Sequence, residues 1–437
     1  MDQASGLSAA FPGPVVSGIR GVRALDAAGR FSEPRRIGWA DGRFTESPAP
    51  GLPAAPAADE LDGTGYWLIP GLVDTHVHAA WHAFTEPDRA ALGPEATARA
   101  TADGLARNLA AGITQLRDAG GLTPEALAAV PAGRRPRVQL AVRMLDRAAA
   151  DAAGGLDAAV EDALAAGARW IKLVATAGVA APAGTGLDPV FTAAETRDAV
   201  RRAERVGAGT MVHAWGGAAI DFAIDAGATS LEHGIFLTDA QAARAAAAGL
   251  TFVPTLRIYT LVQRMIVDGA LPAAFRARVD EAIAAHPNAV RRARDAGLTI
   301  AVGTDSGTPA QHGTARLEFD ALVAAGLTPS EALTAATRSG AELLARVAET
   351  PQETSGVRGA PGLPGTSGTP GTPGLPGTLA PGAVADAVLL RRDPREPGAL
   401  SDPAAVVAVL ARGVLHDPAT LDPQRAHAPI PPREDPK

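Results

Sequence analysis

The feature that most narrows the fold is an alternation of two patterns along the middle of the chain. From Pro70 to about residue 350, short apolar runs alternate with Ala-rich stretches of helical character. The runs that read as strands are Gly71–His78, Ile113–Arg117, Val138–Met144, Trp170–Ala175, Thr210–Ala214, Ser230–His233, Thr251–Leu256 and Thr299–Thr304. Most follow a helical stretch that ends in Ala-Gly, at Ala111-Gly112, Ala166-Gly167, Ala226-Gly227, Ala248-Gly249 and Ala296-Gly297. Glycine just past the last turn is the usual helix stop, because it enters the left-handed region without a Cβ penalty. Repeated strand–helix units over this length predict an α/β fold, a (β/α)8 TIM barrel, which takes about 250 residues. A doubly wound open sheet shares the alternation, but no Gly-rich phosphate loop follows the first strand.

The flanks read differently. Pro14–Val22, Arg36–Trp39 and Tyr66–Ile69 look like short β segments, with a turn at Asp41-Gly42 and a Pro/Ala-rich loop over Ser47–Ala58. Glycine recurs at every third position from Gly356 to Gly377, often preceded by proline, a collagen-like period too short to hold a triple helix alone. It is expected to be a polyproline-like surface loop. Ala383–Leu390 and Ala404–Val414 then read as strands again. The expected order is a tail over 1–13, part of a small β-sandwich over 14–69 and the barrel over 70–350. The Gly-x-y insertion over 351–378, the rest of the sandwich over 379–420 and a disordered tail over 421–437 follow.

Composition removes several function classes. The net charge of the 437 residues is −7, which disfavours a nucleic-acid partner. No cysteine is present, so thiolate nucleophiles and Cys-ligated zinc are excluded. No run of 18 apolar residues is present to suggest a membrane span, and the first residues make a poor signal peptide. A cytoplasmic protein acting on a small molecule is expected, with homo-oligomerisation left open. One bias is informative: of 40 Lys and Arg residues, only Lys172 and Lys437 are lysine. Arginine replaces lysine in most surface roles but has no neutral amine to react through, so Lys172 is a candidate for lysine-specific chemistry.

The candidate site residues fall at strand ends. His76 and His78, in Asp74-Thr75-His76-Val77-His78, are two apart in a strand and so share a face, a half-site for zinc or a similar ion. Lys172 lies inside the apolar run Trp170–Ala175, where burial would depress its pKa and make the amine nucleophilic. It could form a Schiff base or capture carbon dioxide as a carbamate. His213, His233 and Asp305 each end a further strand. Ligand-type side chains at one end of successive barrel strands, where barrel active sites lie, are hard to explain by packing.

LIPGLVDTHVH, IKLVAT, MVHA, SLEHG and VGTDS together resemble the amidohydrolase superfamily of metal-dependent hydrolases, in its imidazolonepropionase-like and prolidase-like branch. TQLRDAGG, GLTPSEALTAAT and GTLAPGAVADAVLL match weaker signatures, so the resemblance spans about residues 15–415 apart from the insertion. It implies two divalent ions, zinc by default, forming a binuclear metal centre. His76, His78 and Asp305 would hold one, His213 and His233 the other, and Lys172, as N6-carboxylysine, would bridge them. A hydroxide held between the ions would attack the substrate, and Asp305 would act as general base and then acid. The implied reaction is hydrolysis of a C–N bond in an amide, cyclic amide or dipeptide-like substrate. An ester or lactone hydrolase would use the same centre. A one-metal deaminase is disfavoured, since Ala-Trp-Gly-Gly rather than an early Glu follows His213 and Lys172 is present.

The chain departs from the branch in two places that shape the pocket. Ala141-Val142-Arg143-Met144 replaces a Gly-Gly-His-type element, and Ala175-Thr176-Ala177-Gly178 replaces a Gly-Gly loop. Arg143, Arg257, Tyr259 and His312 are the candidates for contacting substrate. His82 is expected to be structural or to support the ligands, and His286, His416 and His427 to lie on the surface.

Overall fold

A computed structural model describes residues 16–46, 60–179, 181, 184–347 and 374–422. The expected N-terminal tail, the Ser47–Ala58 loop, the Gly-x-y repeat up to residue 373, the tail past residue 422 and His427 lie outside the described residues.

The N-terminal strands are β1 (Gly18–Ala24), β2 (Arg35–Ala40), β3 (Arg43–Phe44), β4 (Glu60–Asp62) and β5 (Trp67–Pro70). The central strands are β6 (Leu72–Val77), β7 (Ile113–Asp118), β8 (Arg137–Leu140), β9 (Met144–Leu145), β10 (Trp170–Val174), β11 (Gly209–Ala214), β12 (Ser230–His233), β13 (Thr251–Val253) and β14 (Thr299–Ile300). After the repeat come β15 (Ala387–Leu390), β16 (Val406–Ala411) and β17 (Val414–His416).

Both chain ends enter one hydrogen-bonded network in the order β17-β16-β15-β5-β1-β2-β3, with β4 also on β1. Its hinge is β15, antiparallel to β5, with Val388 opposite Ile69. Ile19, Val22, Trp39, Phe44, Leu68 and Leu410 are among the residues of its own buried cluster.

The central strands are parallel, in the orders β6-β7-β8 and β9-β10-β11-β12-β13-β14. Helices between them pack apolar faces on the sheets in one continuous core. The Ala-Gly stops behave as expected: Gly112, Gly167, Gly227, Gly249 and Gly297 all have positive φ, between 69° and 94°. Hydrogen bonds also link the two sheets. Thr75 N–H donates to Val302 O at 2.9 Å, His78 N–H to Ser306 O at 2.8 Å, and Arg169 N–H to Leu140 O at 2.8 Å.

Three expected strands are shorter or broken. The third is split into β8 and β9 by Val142, whose φ of 64° a β-branched residue rarely adopts. The seventh stops at Val253, and Thr255 at φ 54° turns the chain into the helix Leu256–Val267. The eighth pairs only over Thr299–Ile300, and Val302 bonds to Thr75 and Ala335 instead. No helix among the described residues is long and apolar enough to cross a membrane.

Candidate active site

Among the described residues, four of the six non-glycine residues with positive φ, namely Val142, His233, Thr255 and Asp305, sit at or just past the carboxyl ends of central strands. Backbone in this region is disfavoured for L residues and persists where surrounding structure holds it, often at functional sites. Two of these residues carry metal-ligand side chains.

β6 delivers His76 and His78. The backbone after Val77 continues toward Ser306, and Asp305 Oδ1 lies 3.4 Å from His76 Nε2 and 3.3 Å from His78 Nε2. β10 delivers Lys172, whose Nζ is 2.9 Å from His76 Nε2. β11 and β12 deliver His213 and His233, with ring centroids 4.5 Å apart, and His233 is 5.0 Å from His76. All six residues expected from the sequence therefore form one contiguous group. Within it, His76, His233 and Asp305 place ligand atoms within 4.8 Å of one another, a candidate metal site.

The second nitrogens of three histidine rings are tied down. Nδ1 of His76 bonds Glu232 at 2.6 Å, Nδ1 of His78 bonds Gly120 O at 2.9 Å, and Nδ1 of His233 bonds Thr255 Oγ1 at 2.8 Å. Such partners fix the ring orientation and leave Nε2 to a metal. His213 Nε2 is buried without a hydrogen-bond partner among the described residues, as a nitrogen reserved for an ion would be. This donor set, imidazoles with carboxylate, suits zinc and similar divalent ions.

Most of the site's side chains are buried, and its electrostatics follow from that. Burial first, then the nearby Lys172 charge, holds His76 down to about 4 and His213 down to about 3, which keeps both rings neutral and able to ligate. Burial also lowers Lys172 to about 8, against the pull of Glu232 and Asp305. Burial would raise Glu232, but Arg117, His76 and Lys172 outweigh it and hold the carboxylate at about 2. Burial likewise opposes ionisation of Asp305, and His76, His78 and Lys172 overcome it, leaving the group well below the usual carboxylate range.

Several residues of this centre were not singled out from the sequence. Arg117 is fully buried, pairs with Glu232 at 2.9 Å, donates to Ser230 Oγ at 2.8 Å and lies 4.5 Å above the Trp170 ring. Asp74 accepts from Thr304 Oγ1 at 2.7 Å and from His76 N–H at 3.2 Å, tying the first strand to the last. Asp118 accepts from Ala79, Gly120 and Leu122 N–H and so shapes the turn that carries Gly120 O to His78. Asp74 was within reach of pattern reading, since it lies two residues before His76 on the same strand. Glu232 was not, because strand alternation sends neighbours Glu232 and His233 to opposite faces. The 68° φ of His233 turns its ring back toward the side that Glu232 already occupies.

The substrate candidates separate. Tyr259 is buried on the helix after β13, 6.4 Å from the His233 ring, and burial followed by the Asp305 charge pushes its phenol well above the usual range. Arg143 is exposed. Arg257 is half-buried and donates to Thr314 Oγ1 at 3.2 Å. His312 is buried, its Nε2 3.1 Å from Trp81 O, and Trp81 in turn stacks on His78 with centroids 3.8 Å apart. His82 is partly buried, with both ring nitrogens lacking partners among the described residues. Two surface expectations are corrected. His286 is buried, because its helix packs on the carboxyl end of β12, where its Nε2 meets the His233 carbonyl at 2.7 Å. His416 is partly buried, because β17 pairs with β16.

The Amidohydrolase family profile matches residues 67–348, the stretch that carries every candidate ligand described above. The chain belongs to the amidohydrolase family. An uncharacterized protein of Mycobacterium tuberculosis (strain ATCC 25618 / H37Rv) is 30% identical over 315 residues, 68% of this chain and 77% of that protein. The imidazolonepropionase of Mycolicibacterium smegmatis (strain ATCC 700084 / mc(2)155) is 30% identical over 321 residues, 67% of this chain and 75% of the relative. Among solved structures, a prolidase complexed with N-methylphosphonate-L-proline superposes with a TM-score of 0.79 at 25% identity, covering 92% of this chain and 99% of that one. This amidohydrolase thus has relatives in both groups that its motifs resemble.

Proposed function

We propose that this amidohydrolase hydrolyses a C–N bond, in an amide, cyclic amide or dipeptide-like substrate, at a centre of two divalent ions. The observation that carries the reading is the convergence of His76, His78, His213 and His233 on Lys172 and Asp305, with Nδ1 pinned on three of the rings. His76, His78 and Asp305 would hold one ion and His213 and His233 the other. Lys172 supports a bridging role: its amine is buried, held down to about 8 and so partly neutral near pH 8. A neutral amine can add to carbon dioxide, forming an N–C bond and losing one proton, which yields the two-oxygen anion that N6-carboxylysine offers. Ions bound there would lower the pKa of water to about 7 and polarise the scissile carbonyl.

The protein groups have separable tasks. Asp305, kept ionised beside His76 and His78, can accept a proton at Oδ1 and return it to the leaving nitrogen. Glu232 and Arg117 hold His76 in one tautomer. Tyr259, with its proton firmly retained, can donate to a substrate oxygen beside His233. A closed eight-stranded barrel underlies the reading. It is supported by the bonds from Thr75 to Val302 and from Arg169 to Leu140 at the two seams, and by Val73, Trp170, Met211 and Val253 packing in one interior cluster. The terminal strand network is read as the sandwich that flanks it, over 14–69 and 379–420.

The test is metal content joined to turnover. Protein loaded with zinc or manganese in bicarbonate should approach two equivalents and hydrolyse members of an amide, lactam and dipeptide panel, prolyl dipeptides included. Chelation should abolish both. One equivalent at saturation, or hydrolysis confined to esters and lactones, would overturn the binuclear amide reading.

A further inference from the structure

We infer that His286 is a positioning residue for His233, acting through the peptide carbonyl of that ligand rather than through its ring. The inference rests on the reading of His233 as a metal ligand. His286 lies in the helix Arg276–Asp295, far from β12 in sequence, and is buried. Its Nε2–H donates to the carbonyl oxygen of His233 at 2.7 Å. That carbonyl belongs to a residue at φ 68°, so its peptide has left the regular strand path and the ladder no longer dictates its direction. A buried carbonyl of this kind needs a donor, and His286 supplies one.

His233 is thereby held at both ends. Thr255 Oγ1 takes the ring at Nδ1, and His286 takes the backbone. The Tyr259 ring packs near both, its centroid 6.4 Å from that of His233 and 5.4 Å from that of His286. The left-handed turn is what brings the His233 ring to the side of the strand where Glu232 and His76 meet. A group that fixes the turn therefore sets where Nε2 of His233 points. Packing alone does not account for an imidazole here: Nδ1 of His286 is buried with no partner among the described residues, which an apolar side chain of similar size would avoid.

The experiment uses the full chain loaded with cobalt and two variants. His286→Phe keeps the ring shape and removes the donor, whereas His286→Gln keeps an N–H that can reach the same carbonyl. Chelator competition should show the weakest-held cobalt bound at least about tenfold more weakly in the Phe variant, with altered visible absorption, and the Gln variant within about threefold of wild type. A folded Phe variant with wild-type cobalt affinity and spectrum overturns the inference, and so does a Gln variant as impaired as the Phe variant. Should the Phe variant fail to fold, the Gln variant decides alone by the same threefold margin. Wild-type protein that takes up no cobalt overturns the metal reading itself, and this inference with it.

Discussion

Nζ of Lys172 lies 2.9 Å from Nε2 of His76, and both side chains are buried. A cation placed so close to a metal-ligand nitrogen would oppose an ion there, whereas a carbamate on the same atom would recruit one. On the proposed reading, the contact would tie the protonation of one side chain to the loading of the site.

Lys172→Arg and Lys172→Ala are expected to lose one metal equivalent and most turnover. Arg stays charged and cannot form a carbamate. Short carboxylic acids should partly restore the Ala variant by supplying bridging oxygens in the vacated space. They should not restore His76→Ala, which lacks an imidazole. Metal analysis with and without acetate or propionate checks this, and a fully active, fully loaded Lys172→Arg protein would contradict it.

Removing Glu232 should harm both stability and metal binding. Arg117 is wholly buried and loses its carboxylate partner in Glu232→Ala. Breaking a buried pair in this way costs about 3–5 kcal/mol. The free Nδ1 of His76 should cost a further 10- to 100-fold, roughly, in metal affinity. Urea unfolding of the metal-free protein reads the first effect, and chelator competition reads the second.

Glu318 gives a pH signature away from the ligands. Its carboxyl is buried, accepts from Leu256 and Arg257 N–H at the start of the Tyr259 helix, and is pushed by burial from 4.5 up to about 8. A carboxyl whose folded pKa is raised favours the folded state while protonated. Stability from this group is therefore full below about 4.5 and lost as pH rises through about 8. Glu318→Gln keeps an acceptor oxygen without the charge. Denaturation midpoints should favour the variant more at pH 9 than at pH 5, and the reverse order would refute the assignment.

The Gly-x-y segment should be dispensable for catalysis. The described residues near its two ends, Leu344, Ala345 and Gly374, line one cavity with Gly71, Gln115 and Arg137, at the amino ends of β6, β7 and β8. The histidines stand at the opposite ends of the strands. Replacing residues 356–373 with a short Gly/Ser linker should leave turnover within about tenfold, since loop length alone costs little. Loss of metal on replacement would show instead that the segment supports the fold.

Sequence alone determined the alternation of strands and helices and brought out the candidate ligands. Strand period put His76 and His78 on one face, Ala-Gly pairs marked where helices stop, and the scarcity of lysine singled out Lys172. These are local signals, each carried by a few adjacent residues. What only the tertiary structure decided depends on residues far apart in the chain. Glu232 reaches His76 across 156 positions and Arg117 across 115, and a buried charge in a strand has no local pattern to announce its partner. His286 read as a surface residue because nothing next to it in sequence marks a partner, yet it lies on the buried face of its helix and meets the His233 carbonyl. The left-handed backbone at His233, Thr255 and Asp305 has no glycine to signal it, and at Thr255 it turned the chain into a helix where the pattern continued a strand. Those turns are disfavoured locally and stand because hydrogen bonds and packing from other strands and helices hold them, so their position can be read only once those elements have met.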